Sequence, residues 1–247
     1  MPQIRDNVLA VTAAIKNKLS ALGRDPEDAI LVAVTKTHPV EAIEASLEAG
    51  LGHFGENKVQ EAQRKVPFIT RPYEGFHFIG HLQTNKIKAL LELKPCLIHS
   101  IDSLYLAESL NAALARFNRV QDILVQVNTT QEASKSGVDL SNAIEMVGQI
   151  SQLPFLRVKG LMTIGLMSID AERTRPHFQK LKQVFDQINT MIEEGSFASG
   201  DPGSSAVEMR WLSMGMSDDF LVALEEGSNM LRLGSVLFGA RNYGSGK

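Results

Sequence analysis

Between positions 30 and 239 the chain repeats one unit eight times: a short β-rich run, then a stretch with apolar residues three and four apart. The runs are ILVAVTK (30–36), HFGEN (53–57), HFIGH (77–81), LIHSI (97–101), ILVQVN (123–128), VKGLMTIG (158–165), MRWLSMG (209–215) and MLRLGSVLFG (230–239). Segments such as VEAIEASLEAG, SLYLAESLNAALARF and RPHFQKLKQVFDQINTMIEEG lie between them. A strand that returns through a helix rejoins its sheet in parallel, and eight such units favour closure into a (β/α)8 TIM barrel. A doubly wound open sheet is the alternative that periodicity leaves open. Its dinucleotide-binding version lacks the GxGxxG turn after the first strand.

The expectation is one α/β domain over residues 1–247 with an extra helix at the front, because 247 residues suffice for a single large core. The Gly-, Ser- and Pro-rich stretch 196–205 is too short to link two domains and reads as a surface loop. A net charge of −3 with scattered Lys and Arg offers no basic face for a nucleic acid. Cys96 is the only cysteine, which excludes an internal disulfide and is expected to be a small buried apolar residue in a reducing, cytoplasmic compartment. The opening MPQIRDNVLAVTAAIKNKLSALG carries charges throughout and reads as an amphipathic helix, not a signal peptide. No apolar run is long enough to cross a bilayer.

Alternation puts Ile30, Val32, Val34 and Lys36 on one face of the first strand, so an amine stands at the C-terminal mouth, where barrel enzymes do their chemistry. A desolvated lysine there is a nucleophile for carbonyls, although a lysine can equally snorkel to solvent. On the last strand Met230, Arg232 and Gly234 share a face opposite Leu231 and Leu233, which sends Arg232 into the barrel. A buried guanidinium requires an acceptor, either a carboxylate such as Asp102 or a bound ligand. Around the last two strands, Ser213, Gly215, Ser217, Gly234 and Ser235 are small residues whose N–H groups and hydroxyls suit a phosphate. Asn57 and His81 end the second and third strands and flank the same mouth, and Met162 with Thr163 ends the sixth. His53, His77, His81 and His99 are spread over three strands with no HExxH spacing, so no metal is expected.

These residues stand in segments that resemble, in order, the pyridoxal phosphate homeostasis proteins, the YggS/PROSC family of PLP-binding barrels. The segments are VAVTKTHP around Lys36, HFGENKVQEA from His53, HFIGHLQTNK from His77, SKSGV from Ser134, GLMTIG from Gly160, LSMGMSDDF from Leu212 and RLGSVLFGAR from Arg232. The resemblance spans nearly the whole chain and departs modestly at 165–173 and 196–205. It implies a monomeric barrel of the alanine-racemase N-terminal-domain type (fold type III among PLP proteins). It also implies pyridoxal 5′-phosphate as a Schiff base on Lys36, phosphate contacts from Ser213, Gly215, Arg232 and Gly234, with the pyridine ring as the alternative partner of Arg232, and Asn57, His81 and Met162 around the pocket.

The implied role is vitamin B6 homeostasis: storing or delivering PLP, with PLP-dependent apoenzymes as recipients, indirect effects on amino-acid and keto-acid pools, and no dedicated catalysis. The alternative is a PLP-dependent amino-acid racemase. Racemisation needs a base on each side of the Cα carbanion, and Lys36 supplies one. The second domain that brings the opposing tyrosine in racemases of this fold is not expected here, because the chain ends at Lys247 soon after the last strand. A third class, Schiff-base chemistry at Lys36 without PLP, predicts a colourless protein.

Overall fold

The computed structural model describes residues 2–130, 136–166, 170–197 and 206–239. Among the described residues there are nine parallel strands: β1 (Ile30–Val34), β2 (His53–Glu56), β3 (Gly75–Phe78), β4 (Leu97–Ile101), β5 (Gln121–Asn128), β6 (Val138–Asp139), β7 (Leu156–Met162), β8 (Val207–Ser213) and β9 (Met230–Leu233). Their order is β4-β3-β2-β1-β9-β8-β7-β5, and β4 also pairs with β5, which closes an eight-stranded barrel. The two-residue β6 lies outside the ring against β5. Closure therefore decides against the open-sheet alternative.

The helices are α1 (Pro2–Ala21), α2 (Val40–Glu48), α3 (Val59–Lys65), α4 (Ile87–Glu92), α5 (Leu104–Phe117), α6 (Ala143–Ile150), α7 (Arg175–Glu193), α8 (Phe220–Glu225) and α9 (Ser235–Phe238). Local chemistry marks the ends of α5, where Ser103 Oγ accepts the Leu106 N–H and Asn118 takes the left-handed conformation that stops the helix. The last sequence run, 230–239, divides in two: four strand residues, then the short helix α9. The third strand lies earlier than its sequence run, so His81 falls in the loop that follows it.

Strand alternation builds two separate cores. Outward residues, among them Leu31, Ala33, Phe54, Phe76, Phe78, Ile98, Leu231 and Leu233, pack under the helices. Inward residues Val32, Leu97, Leu124, Met162 and Met230 fill the barrel, with Ile30 and Trp211 against them. Each such aliphatic side chain contributes on the order of 1.5–3 kcal/mol on full burial, which is why register is strongly specified. In β7 the pairing with β8 shifts between Val158 and Gly160. Gly160 has φ +144°, and a Cβ there would stand 1.8 Å from the Trp211 carbonyl oxygen, so this irregularity requires glycine.

Helix α1 buries Ile4, Val8, Val11, Ile15 and Leu19 against the barrel's outer layer. Asn7 Nδ2 donates to the Leu237 carbonyl at 2.9 Å, and Arg24 donates to the carbonyls of Leu224 and Ser228, both at 2.9 Å. These bonds tie the front of the chain to α9 and α8. Among the described residues no helix is long and apolar enough to cross a membrane.

Candidate functional site

Lys36 follows the end of β1 by two residues and is half-buried at the C-terminal mouth. The backbone around it is held from three sides. Lys65 Nζ donates to the Thr35 carbonyl at 2.8 Å, to Glu56 Oε1 at 2.9 Å and to Glu61 Oε1 at 2.5 Å. Glu61 Oε1 also accepts the Thr37 N–H, and Glu56 Oε1 accepts the Thr35 hydroxyl at 2.6 Å. Thr37 has φ +67°, a conformation that β-branched residues rarely adopt, and this network over-determines it. Burial raises the Glu56 carboxyl above its ordinary range, while Thr35 and Lys65 oppose that rise. None of this network was readable in the sequence, where Glu56, Glu61 and Lys65 look like solvated charges.

Arg232 points into the barrel as alternation requires and is buried. Asp102 is not its partner: that carboxylate lies 3.2 Å from His81 Nδ1, at the rim. Arg232 instead donates through Nη1 to Ser213 Oγ at 2.7 Å and through Nη2 to the Thr163 carbonyl at 2.8 Å. The ion pairs of the described residues do not include it, so its charge is held by neutral oxygens. Burial pulls the guanidinium down to about 10, partly offset by Asp219. Asp219 is itself buried and pushed above the usual carboxylate range by desolvation.

Below Ser213 runs a row of histidines. His99 Nδ1 lies 3.2 Å from Ser213 Oγ, His99 Nε2 lies 2.9 Å from His77 Nδ1, and His77 Nε2 lies 3.0 Å from His53 Nδ1. His53 Nε2 ends the row 3.2 Å from the Glu74 carboxylate. Burial lowers all three rings below the ordinary histidine value, His77 to about 3, so they are neutral at physiological pH. A carboxylate only accepts, so His53 carries its proton on Nε2 and accepts on Nδ1. His77 and His99 must then each donate through Nε2, and the Ser213 hydroxyl donates to His99 while accepting from Arg232.

The other residues read from the sequence divide by position. Asn57 follows β2 with the inward parity of His53 and Gly55, and its Oδ1 is buried without a hydrogen-bond partner among the described residues. Met162 is buried in the barrel-filling cluster as apolar floor. His81 is exposed at the rim on Asp102. Gly215 has φ +98°, and a Cβ there would meet Ala223 Cβ at 2.6 Å, so close helix packing accounts for this glycine. The N–H groups of Gly234 and Val236, at the start of α9, both point to Ser217 Oγ at 3.3 Å. Two amides on one oxygen at this length is an arrangement that a phosphate oxygen can take over. Residues 134 and 135 of the SKSGV segment lie outside the described residues, as does most of 196–205.

An open cleft of about 280 Å³ runs outward from Asp102 between α5 and α6, past Val138 and Met146. It contains neither Lys36 nor Arg232. The mouth itself combines an amine, a buried cation on neutral partners, an orphaned amide oxygen and two amides aimed at one oxygen. That set fits a planar ligand carrying a carbonyl, a ring acceptor and a phosphate. Tyr73, which packs edge-on against the outward-facing Phe54, is not placed to face such a ligand.

Comparison with known proteins supplies the context. Residues 11–242 match the family described as alanine racemase, N-terminal domain. The pyridoxal phosphate homeostasis protein of Vibrio alginolyticus is 38% identical over 98% of this chain and 100% of its own. That of Aquifex aeolicus is 38% identical over 94% of this chain and 96% of its own. The solved structure of PipY from Synechococcus elongatus with PLP bound superposes with a TM-score of 0.75 at 32% identity, covering 91% of this chain and 100% of PipY. Alanine racemase from Corynebacterium glutamicum, at 15% identity and TM-score 0.67 over 63% of its chain, shares the fold alone.

Proposed function

This chain belongs to the pyridoxal phosphate homeostasis protein family, on the alanine racemase N-terminal-domain fold, and from that premise we propose that it binds pyridoxal 5′-phosphate for vitamin B6 homeostasis, linked as an imine to Lys36. The observation that carries the reading is Arg232, a buried cation on neutral oxygens in the same barrel mouth as a half-buried strand-end lysine. When bound, PLP supplies an aldehyde that condenses with a neutral amine, releasing water.

The roles of the side chains follow from their places. Lys36 provides the amine, and the Lys65–Glu56–Glu61 network fixes the backbone that presents it. The Gly234 and Val236 amides hold the phosphate, with Ser217 beside them. Arg232, inside the barrel and two residues before Gly234, would hold the ring nitrogen. A guanidinium donates and does not accept, so it keeps that nitrogen unprotonated and weakens the ring as an electron sink. Such electronics favour holding the cofactor over running carbanion chemistry. Asn57 and His81 line the rim, Ser213 braces Arg232, and Met162 supports the floor.

The same reading makes the protein a cytoplasmic monomer of one domain over residues 1–247 that passes PLP to apoenzymes without dedicated catalysis. The test is borohydride reduction of the purified protein, peptide mapping and the visible spectrum. A pyridoxyl label on Lys36, and loss of the imine band in Lys36→Ala, is the expected outcome. A label on another lysine would refute the assignment of Lys36. Amino-acid α-proton exchange as fast as in dedicated racemases would replace the carrier role with catalysis.

A further inference from the structure

The face opposite the mouth holds a second set of chemical groups. His53 opens β2, His77 is the third residue of β3, and Cys96 immediately precedes β4. The parallel register that sets His53 beside Gly75 and His77 beside Leu97 brings them together. Their ligand atoms, His53 Nδ1, His77 Nε2 and Cys96 Sγ, all lie within 4.8 Å of one another. The expectation of a small buried apolar Cys96 is corrected in part: the residue is exposed, because it precedes the strand and does not lie within it, while desolvation of its thiol pushes that group up to about 12.

Gly75 opens the space between these atoms. A Cβ on Gly75 would stand 2.7 Å from Cys96 Sγ, 2.7 Å from His53 Nδ1 and 3.1 Å from His77 Nε2. With no methyl there, the three donor atoms are free to converge beside the Gly75 backbone. Zinc binds imidazole nitrogen at about 2.0–2.1 Å and thiolate sulfur at about 2.3 Å, which sets tetrahedral ligand atoms about 3.3–3.6 Å apart, so side-chain shifts of roughly an ångström close the site. The outer contacts are those that metal-bound imidazoles use: His53 Nε2 is on the Glu74 carboxylate, and His77 Nδ1 is on His99. Burial keeps both rings neutral, as ligands must be, but holds the Cys96 thiol protonated, up to about 12, so the metal itself must displace that proton. Exposure of Cys96 gives a way in.

We propose that His53, His77 and Cys96 form a binding site for a soft or borderline transition-metal ion, with zinc(II) as the representative, at the end of the barrel away from the cofactor. Two nitrogens and one sulfur select against magnesium and calcium, which require oxygen ligands. Water completes the four-coordinate shell. On binding, the Cys96 S–H bond breaks, its proton leaves to solvent and a metal–sulfur bond forms. Ligation of His77 through Nε2 moves that ring's proton to Nδ1, so His77 then donates to His99 and the bonds up to Ser213 reverse direction.

The experiment uses the chelator-treated, cofactor-carrying protein, with zinc(II) titrated in competition with a chromophoric chelator and cobalt(II) as spectroscopic probe. One equivalent should bind, and cobalt should give a thiolate charge-transfer band. Cys96→Ser should lose that band and weaken zinc binding by more than about tenfold while keeping its melting temperature and cofactor spectrum. Gly75→Ala, whose methyl would push the three donor atoms apart, should bind more weakly as well. Nitrogen-15 spectra of His77 and His99 should report the tautomer exchange. Zinc binding unchanged in Cys96→Ser, no uptake at micromolar zinc, or equal competition by magnesium would each overturn the proposal.

Discussion

Replacing Arg232 with methionine is expected to make the cofactor-free protein more stable and its hold on PLP weaker. Burial pulls this guanidinium down to about 10, between two and three powers of ten below its ordinary value. At about 1.4 kcal/mol per tenfold, that is a penalty of roughly 3 kcal/mol on the charged form. A cation whose folded-state value is lowered costs stability wherever it is charged, so an assay at pH 7.5 reads the whole penalty. Against the gain stand the Thr163 carbonyl, left without its donor, and Asp219, which loses a nearby positive charge. Together these take back about 1–2 kcal/mol, leaving a net gain of about 1–2 kcal/mol. At about 2–4 °C per kcal/mol for a chain of this size, the melting temperature of the apo protein should rise by several degrees. PLP affinity should fall about 10- to 100-fold with the loss of a charge-assisted hydrogen bond. The assays are urea unfolding of apo protein and spectrophotometric titration with PLP. An apo variant less stable than the parent by more than about 1 kcal/mol, with affinity retained, would show that Arg232 is a structural brace and not a ligand group.

Lys65→Ala should destabilise the fold by about 3 kcal/mol by stranding buried Glu56, and the double replacement Lys65→Met/Glu56→Leu should recover most of that in urea titrations. The single variant should also shift the imine absorption band, since it frees the backbone beside Lys36; an unshifted band would remove Lys65 from the positioning network. Thr37→Asn should gain about 0.5–1 kcal/mol, because asparagine tolerates the φ of +67° better; a loss measured by thermal unfolding would mean that the Thr37 side chain makes a contact worth more than the strain. Gly160→Ala should cost more than about 2 kcal/mol or give insoluble protein, since its methyl meets a backbone oxygen; a soluble variant melting with the parent would contradict the bulge geometry.

Period-two alternation made the barrel interior legible from the sequence. It separated Val32 from Leu31 and sent Arg232 inward while Leu231 and Leu233 went out. The ends of strands were less legible, because β1 stops at Val34 and the last run turns into α9 at Ser235, and side-chain pattern alone does not mark where ladder bonds cease. The meeting of His53, His77 and His99 was invisible for a different reason. It depends on the stagger between neighbouring strands of a closed barrel, which leaves no local spacing motif to find. The same holds for Lys65, whose partners Thr35 and Glu56 become neighbours only when β1 and β2 pair.

The front helix bears on more than packing. The four residues of α9 are too few to hold their own shape in water, yet the amides at its start, now on Ser217 Oγ, are the ones we assign to the phosphate. What steadies them includes the bond from Asn7 to Leu237, made by a segment that lies before the repeating units begin. Replacing Asn7 by alanine should therefore loosen the grip on an incoming phosphate while the ring of strands still closes, which would make the amino-terminal helix a tensioner for a pocket that it does not line.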